Sequence, residues 1–215
     1  MKMRRVIAAS VIALAAMGVN TAIAAPISAS GQGWCESGLT CNGVSGINNT
    51  FAGQENTLFR DWFTFAIPSL GTITGATINI WNDGRNHTSE ADSIYNLHAA
   101  TSITYAGLAA GGSLGSVSLV TADTGTSGYV SITLNALGLA DLFAAEGGNF
   151  TFGGVVSPIT ISGFDDPSIF GFTGGTPVAQ LTLSTTAVPE PFTLSLFGTG
   201  LAGAVAMRRR KKKTV

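Results

Sequence analysis

Short runs of alternating apolar and polar residues, separated by glycine-rich turns, constrain the fold of this chain most strongly. The clearest run is Thr74–Trp81, in which Ala76, Ile78 and Ile80 share one face. Thr77, Asn79 and Trp81 share the other. Because successive side chains of a strand point to opposite faces, this alternation predicts a strand with one buried side. The Asn-Asp-Gly sequence at 82–84 is a strong turn signal at its end.

Similar strand patterns recur along the chain at near-regular spacing. They cover Leu58–Ile67, Ser93–Ala99, Ser116–Val120, Tyr129–Leu134, Asn149–Val156, Ile169–Phe172 and Val178–Ser184. One short helix is predicted at Ala136–Ala145, with Asn135 as its N-cap and two glycines after its end. The pattern predicts a mainly β fold, a single antiparallel β-sandwich or jelly roll with one short helix, over residues 50–187.

The charges of the chain are segregated. Residues 25–187 contain two bases, Arg60 and Arg85, and eleven acids, which gives a net charge of −9, whereas both ends are basic. Nucleic-acid binding depends on Lys and Arg side chains that neutralise phosphates, so this composition excludes a nucleic-acid partner. Apolar residues make up 45% of the chain, which argues against disorder for want of a core.

The N-terminus has the three parts of a secretory signal. A basic stretch, Met1–Arg5, precedes the apolar run Val6–Val19, and Ala22 and Ala24 occupy the −3 and −1 positions of a small-residue cleavage site. Residues 1–24 are therefore predicted to be a signal peptide that is cut after Ala24. The alternative is an uncleaved membrane helix, for which the apolar run is short.

Residues 25–49 are rich in Gly, Ser and Asn, and we expect a flexible, loosely ordered segment there. This segment holds Cys35 and Cys41, the only cysteines of the chain. An exported protein meets an oxidising compartment, so the pair is predicted to form a local disulfide.

The C-terminus, residues 188–215, also has three parts. The motif Val188-Pro189-Glu190-Pro191 is followed by the apolar run Phe192–Met207 and by a basic cluster formed by Arg208, Arg209, Arg210, Lys211, Lys212 and Lys213. Sixteen helical residues span roughly 24 Å, somewhat short of the hydrocarbon core, and the run is predicted to be a transmembrane helix. The basic cluster favours a cytoplasmic tail and an exported body.

This tail resembles the PEP-CTERM sorting signal in content, order and position. Members of that family are exported by Gram-negative bacteria that make extracellular polysaccharide. The resemblance implies recognition of Pro189, Glu190 and Pro191 by an exosortase, a membrane-embedded cysteine-type transpeptidase. The exosortase would remove the tail, so that residues 192–207 anchor the protein in the inner membrane only transiently. The alternative is a permanent bitopic membrane protein.

The body resembles a β-sandwich that recurs in exported PEP-CTERM proteins, on the segments 63–65, 71–80, 132–145 and 170–173. The resemblance implies a non-enzymatic protein of the cell surface or polysaccharide matrix, delivered by the export machinery, with a structural, adhesive or sugar-binding role. Three aromatic residues, Trp34, Trp81 and Tyr105, are candidates for stacking on sugars.

An extracellular glycosidase is the alternative from another functional class. Its paired carboxylates would come from Asp61, Glu90, Asp92, Asp165 and Asp166. No catalytic residue is assigned, because sequence does not measure the separation of two carboxylates.

No cofactor is expected beyond a structural Ca²⁺, for which Asp165 and Asp166 are weak candidate ligands. The two histidines, His87 and His98, lack a metal-ligand spacing. The G-x-S-x-G match at residues 111–115 does not lead from a buried strand into a helix, as a nucleophile elbow would.

Overall fold

A computed structural model describes residues 21–39, 41–42, 49–55, 57–69, 72–83, 93–119, 127–159, 168–173, 177–186 and 200. The described chain is mainly β. Its strands are β1 Thr21–Ile23, β2 Ile27–Ser28, β3 Gly31–Glu36, β4 Cys41–Asn42, β5 Asn49–Gln54, β6 Leu58–Ala66, β7 Ile73–Asn82, β8 Ile94–Ala99, β9 Ser113–Ser118, β10 Gly128–Thr133, β11 Asn149–Ser157, β12 Ser168–Phe172 and β13 Ala179–Thr186. Helix α1 spans Ala136–Ala144, and a 3₁₀ turn spans Gly107–Ala109.

The strands form two antiparallel sheets. The smaller sheet has the order β1-β13-β7-β10, and β2 also pairs with β13. The larger sheet has the order β12-β5-β6-β11-β8-β9, with β3 on β6 and β4 on β3. The mainly β, antiparallel fold predicted from the alternating runs is therefore confirmed.

The hydrophobic core lies between the two sheets. Phe63 and Phe65 of β6 contribute from the larger sheet, and Ile78, Ile80 and Leu181 contribute from the smaller one. All five side chains are fully buried. In each strand they alternate with less buried residues, which is why the period-two pattern of the sequence locates the core faces.

Helix α1 begins as the sequence predicts. The side-chain oxygen of Asn135 accepts a hydrogen bond of 3.0 Å from the backbone N–H of Gly138, one of the N–H groups that a helix leaves unpaired at its start. After its end, Gly147 adopts a positive φ of 76°, a conformation that favours glycine.

The structure differs most from the sequence expectation in residues 25–49. Instead of a loosely ordered segment, this stretch contains β3, which pairs with β6 from Gly31 opposite Thr64 to Glu36 opposite Phe59. Its sequence, Gly-Gln-Gly-Trp-Cys-Glu, has no apolar alternation, because glycines and a buried Gln32 replace the usual aliphatic residues. The Gln32 side-chain oxygen accepts a hydrogen bond of 2.8 Å from the N–H of Val178, which leads into the other sheet.

Strand β9 begins at Ser113, three residues before the predicted start, because the glycine-rich stretch there still pairs with β8 and buries Leu114. The predicted transmembrane run 192–207 lies outside the described residues, apart from the backbone of Gly200. Within the described part of the chain, no helix is both long and apolar enough to span a bilayer.

Candidate binding groove

A groove of about 600 Å³ opens beside the N-terminal half of β6. Strand β6 contributes three consecutive residues to it, and the C-terminal end of β11 contributes three more. Eleven residues line the groove: Ser37, Gln54, Thr57, Leu58, Phe59, Arg60, Tyr105, Val155, Val156, Ser157 and Ile159. We call this site the Arg60 groove, because Arg60 is the one charged residue among the eleven.

The position of Arg60 follows from the alternation of β6. Phe63 and Phe65 face the core, whereas Arg60 shares the opposite face with Trp62. The Arg60 guanidinium carbon lies 4.0 Å from the centre of the Tyr105 ring, and its Nη1 donates a hydrogen bond to the Tyr105 carbonyl. These two contacts fix the planar guanidinium in one orientation at the groove.

Much of the hydrogen-bonding capacity of Arg60 is unused. Its Nε is buried and has no hydrogen-bond partner among the described residues. No described carboxylate forms an ion pair with the guanidinium, although Glu36 and Glu55 are near Arg60 in the strand register and in sequence. The groove is therefore lined by a fixed cation that no described carboxylate neutralises.

The lining around Arg60 is amphipathic. Four residues supply hydroxyl or amide groups: Ser37, Gln54, Thr57 and Ser157. Five residues supply apolar surface: Leu58, Phe59, Val155, Val156 and Ile159. A pyranose ring also has polar edges and apolar faces. The lining is therefore chemically suited to a saccharide, with the charge of Arg60 in addition.

A small second cluster supports the Tyr105 side of the groove. Trp62, Cys35 and Leu108 are buried together, with the Tyr105 ring packed against them. The Cys35–Cys41 disulfide closes this cluster and joins β3 to β4. Tyr105 thus rests on a disulfide-linked platform formed by β3, β6 and the 3₁₀ turn.

The other two candidate aromatics have aromatic partners of their own. The Trp34 ring packs edge-on against Phe59 at a centroid distance of 5.4 Å, so it lies beside the groove without lining it. The Trp81 ring packs edge-on against Tyr129 at 5.2 Å in the smaller sheet. The three candidates therefore do not form one stacking platform.

Asp61, one of the candidate glycosidase carboxylates, lies in the core rather than in a loop. It is fully buried, and its Oδ1 accepts a hydrogen bond of 2.8 Å from the Tyr95 hydroxyl, while Oδ2 has no partner among the described residues. Burial raises the pKa of the Asp61 carboxyl from 3.8 to about 7, although the Tyr95 hydrogen bond and the backbone amides of Asp61 and Gly154 oppose this rise. Burial, followed by the charge of Asp61, raises the pKa of Tyr95 well above its ordinary value.

Of the remaining candidate residues, two lie within the described part of the chain, His98 and Ser113. His98 lies on β8, where its Nδ1 is 3.0 Å from the Gly111 carbonyl, and no cluster of metal ligands occurs among the described residues. Ser113 lies in β9 rather than at a turn between a strand and a helix. His87, Glu90, Asp92, Asp165 and Asp166 fall outside the described residues.

The N-terminal end of the described chain is part of the smaller sheet. Ala22 pairs with Thr185 across β1 and β13, and the N–H of Ala24 donates a hydrogen bond of 2.9 Å to the Leu183 carbonyl. The signal-peptide prediction, with its cut after Ala24, stays a prediction. The sorting motif 188–191, which begins two residues after the end of β13 at Thr186, and the basic cluster 208–213 lie outside the described residues.

Sequence reasoning did not bring Arg60 and Tyr105 together. They are 45 residues apart, and their contact depends on the fold of residues 99–109 over β6. One sequence feature did single out Arg60 as a candidate site residue: it is the only Lys or Arg between residues 25 and 84.

Comparison with known proteins bears on the C-terminus. No curated protein shows significant similarity to the chain. Residues 187–211, which contain the Pro-Glu-Pro motif, the apolar run and the first four basic residues of the cluster, match the PEP-CTERM protein-sorting motif. The chain therefore carries a PEP-CTERM sorting motif directly after the last strand of its sandwich, which supports export and recognition by an exosortase.

Proposed function

We propose that this protein is an exported, exosortase-processed component of the cell surface or polysaccharide matrix that binds saccharide through the Arg60 groove. The PEP-CTERM motif supports the route, and the groove supports the binding. The role is binding and scaffolding rather than turnover. The protein is held in the inner membrane by residues 192–207 until the exosortase removes the tail near Val188.

The position of the motif fits a processing step that leaves the body folded. Strand β13 ends at Thr186 and pairs with β7 over most of its length, so it is an integral part of the smaller sheet. A cut at or after Val188 removes no residue of that strand. The sandwich would keep its core when the tail is removed.

The observation that carries the binding proposal is the amphipathic lining of the groove around a fixed arginine. Saccharide sites combine apolar surface for the ring faces with hydroxyl, amide or charged groups for the ring substituents. The Arg60 groove has both. It also lies on a platform that a disulfide braces, so little ordering is needed on binding.

A retention assay with a matched pair of variants tests this proposal. Leu58 and Ile94 are both 39% exposed, but only Leu58 lines the groove. Protein from the producing cells is passed over immobilised polysaccharide secreted by the same cells. We expect Leu58→Ser to weaken retention several-fold and Ile94→Ser to leave it unchanged. Equal retention of wild type and Leu58→Ser would contradict binding at this groove.

The same assay addresses the alternative of a glycosidase. Release of reducing ends from the polysaccharide by the wild-type protein would favour an enzyme over a binding protein. Substitution of Asp165 and Asp166 would then test whether these carboxylates are required. We expect no release of reducing ends.

A further inference from the structure

We infer that the Arg60 groove selects acidic saccharides, and that Arg60 binds the carboxylate of a uronic-acid residue. This inference rests on the proposed saccharide-binding function and specifies its ligand class. It is carried by the identity and geometry of Arg60, the one charged residue among the described lining residues.

The charge distribution makes the position of Arg60 unusual. Residues 25–187 hold eleven acids and only two bases, yet one of those bases lines the groove and no acid is among the described lining residues. A neutral sugar would be served by the hydroxyl and amide groups that are already present. A lone arginine in the lining of an acidic domain adds affinity specifically for an anion.

The geometry of Arg60 suits a carboxylate. A guanidinium offers five N–H donors in a planar fork, and the fork matches the two oxygens of a carboxylate. Nη1 already bonds to the Tyr105 carbonyl and Nε is buried, so the guanidinium would meet a carboxylate through the N–H groups of Nη2 and the second N–H of Nη1. The contact with the Tyr105 ring holds the plane of the fork, so the remaining donors are oriented before a ligand arrives.

A purely structural role explains the presence of Arg60 in the groove less well. A purely structural Arg60 would be expected to form an ion pair with Glu36 or Glu55, but within the described part of the chain neither carboxylate pairs with it. The described contacts of its guanidinium are those with Tyr105. The described contacts of Arg60 therefore orient its guanidinium without neutralising its charge.

The test compares two forms of one ligand. Oligogalacturonate and the same oligomer with its carboxyl groups reduced to alcohols differ only at C6, which carries a carboxylate in one and a hydroxymethyl group in the other. Calorimetry gives their affinities for the protein from the producing cells. We expect the acidic form to bind about tenfold to a hundredfold more tightly, as loss of a charge-assisted hydrogen bond typically costs. We also expect this preference to weaken as the salt concentration is raised.

Variants assign the preference to Arg60. Arg60→Gln should abolish the difference between the acidic and reduced oligomers, and Arg60→Lys should keep part of it, since the charge remains but the fork is lost. Thermal unfolding of each variant shows whether the fold is kept, and the wild-type comparison needs no variant at all.

The outcomes separate this inference from the proposed function. Equal binding of the acidic and reduced oligomers by the wild type would overturn the selection of acidic sugars and leave saccharide binding in place. Binding of neither oligomer would overturn both. Displacement of the oligomer by an acidic peptide at equal concentration would assign the groove to peptide carboxylates and overturn the inference.

Discussion

The Tyr95 hydroxyl donates a 2.8 Å hydrogen bond to Oδ1 of Asp61 inside the sandwich, where both side chains are fully buried. The two residues come from β8 and β6, which are separated in the sheet by β11. Gly154 of β11 lies between them and has no side chain to obstruct the bond. The pair therefore joins β6 to β8 across β11 through a buried polar contact.

Loss of the Tyr95 hydroxyl should destabilise the fold. Tyr95→Phe removes the side-chain donor to Asp61 and leaves a buried carboxyl without that partner, which typically costs about 1–3 kcal/mol. Urea unfolding at pH 7 measures the change in the free energy of unfolding. Tyr129→Phe is the control, because Tyr129 is half exposed and should change stability by less than about 0.5 kcal/mol. Equal effects of the two variants would contradict a role for the buried bond.

The Asp61 carboxyl should make stability depend on pH in the direction opposite to an ordinary paired carboxylate. Its pKa is raised by burial from 3.8 to about 7, so the folded state keeps the proton over a range in which the unfolded chain has lost it. The contribution of Asp61 is therefore fully present below about pH 4 and is lost as pH rises through 7. The full loss is on the order of 4 kcal/mol.

Asp61→Asn isolates this contribution from those of the other acids. The asparagine keeps an acceptor for Tyr95 but does not titrate. We expect the free energy of unfolding of the variant, relative to wild type, to rise between pH 4 and pH 8 in denaturant titrations. A difference that stays constant or falls over this range would refute the raised pKa.

A side chain at Gly154 should disrupt the same contact. A Cβ built there overlaps Asp61 Oδ1 and the Tyr95 hydroxyl, so Gly154→Ala forces β6, β8 or β11 to move. Overpacking of this kind costs about 1–3 kcal/mol or more. Gly128→Ala is the matched control, since Gly128 also lies in a strand but has no atom within 4 Å of the added Cβ. Melting temperatures of the two variants should differ by several degrees, with Gly154→Ala the lower.

The Cys35–Cys41 disulfide should contribute modestly to stability, because its two cysteines are only six positions apart in the sequence. Loop-closure entropy gives about 2 kcal/mol for such a loop. The double variant Cys35→Ala, Cys41→Ala should lose this amount, and a reductant should lower the stability of wild type but not of the variant. A wild-type protein that is insensitive to reductant would show that the platform under Tyr105 does not depend on the bond.

The sequence predicted the strands that follow the period-two rule, such as β7 and β6, and the Asn135 cap of α1. It did not predict β3, because glycine and glutamine take the positions where apolar residues would mark a buried face. The buried position of Asp61 could have been predicted from the alternation of β6. Asp61 has the same parity as Phe63 and Phe65 in β6, which places its carboxyl on the core face.

The Arg60 groove could not be derived from the sequence for a different reason. Its residues come from five separate stretches between Ser37 and Ile159, and each stretch taken alone resembles an ordinary strand or turn. The contact between Arg60 and Tyr105 exists only when residues 99–109 fold over β6. Tertiary structure, rather than any local motif, creates the site.

The intact mass of the protein recovered from the producing cells, with and without exosortase activity, tests the sorting of this protein most directly. Cells with an active exosortase should yield a species that runs from Ala25 to near Val188, and cells without it should retain the tail. A product from active cells that still carries residues 208–215 would contradict exosortase processing and make residues 192–207 a permanent anchor.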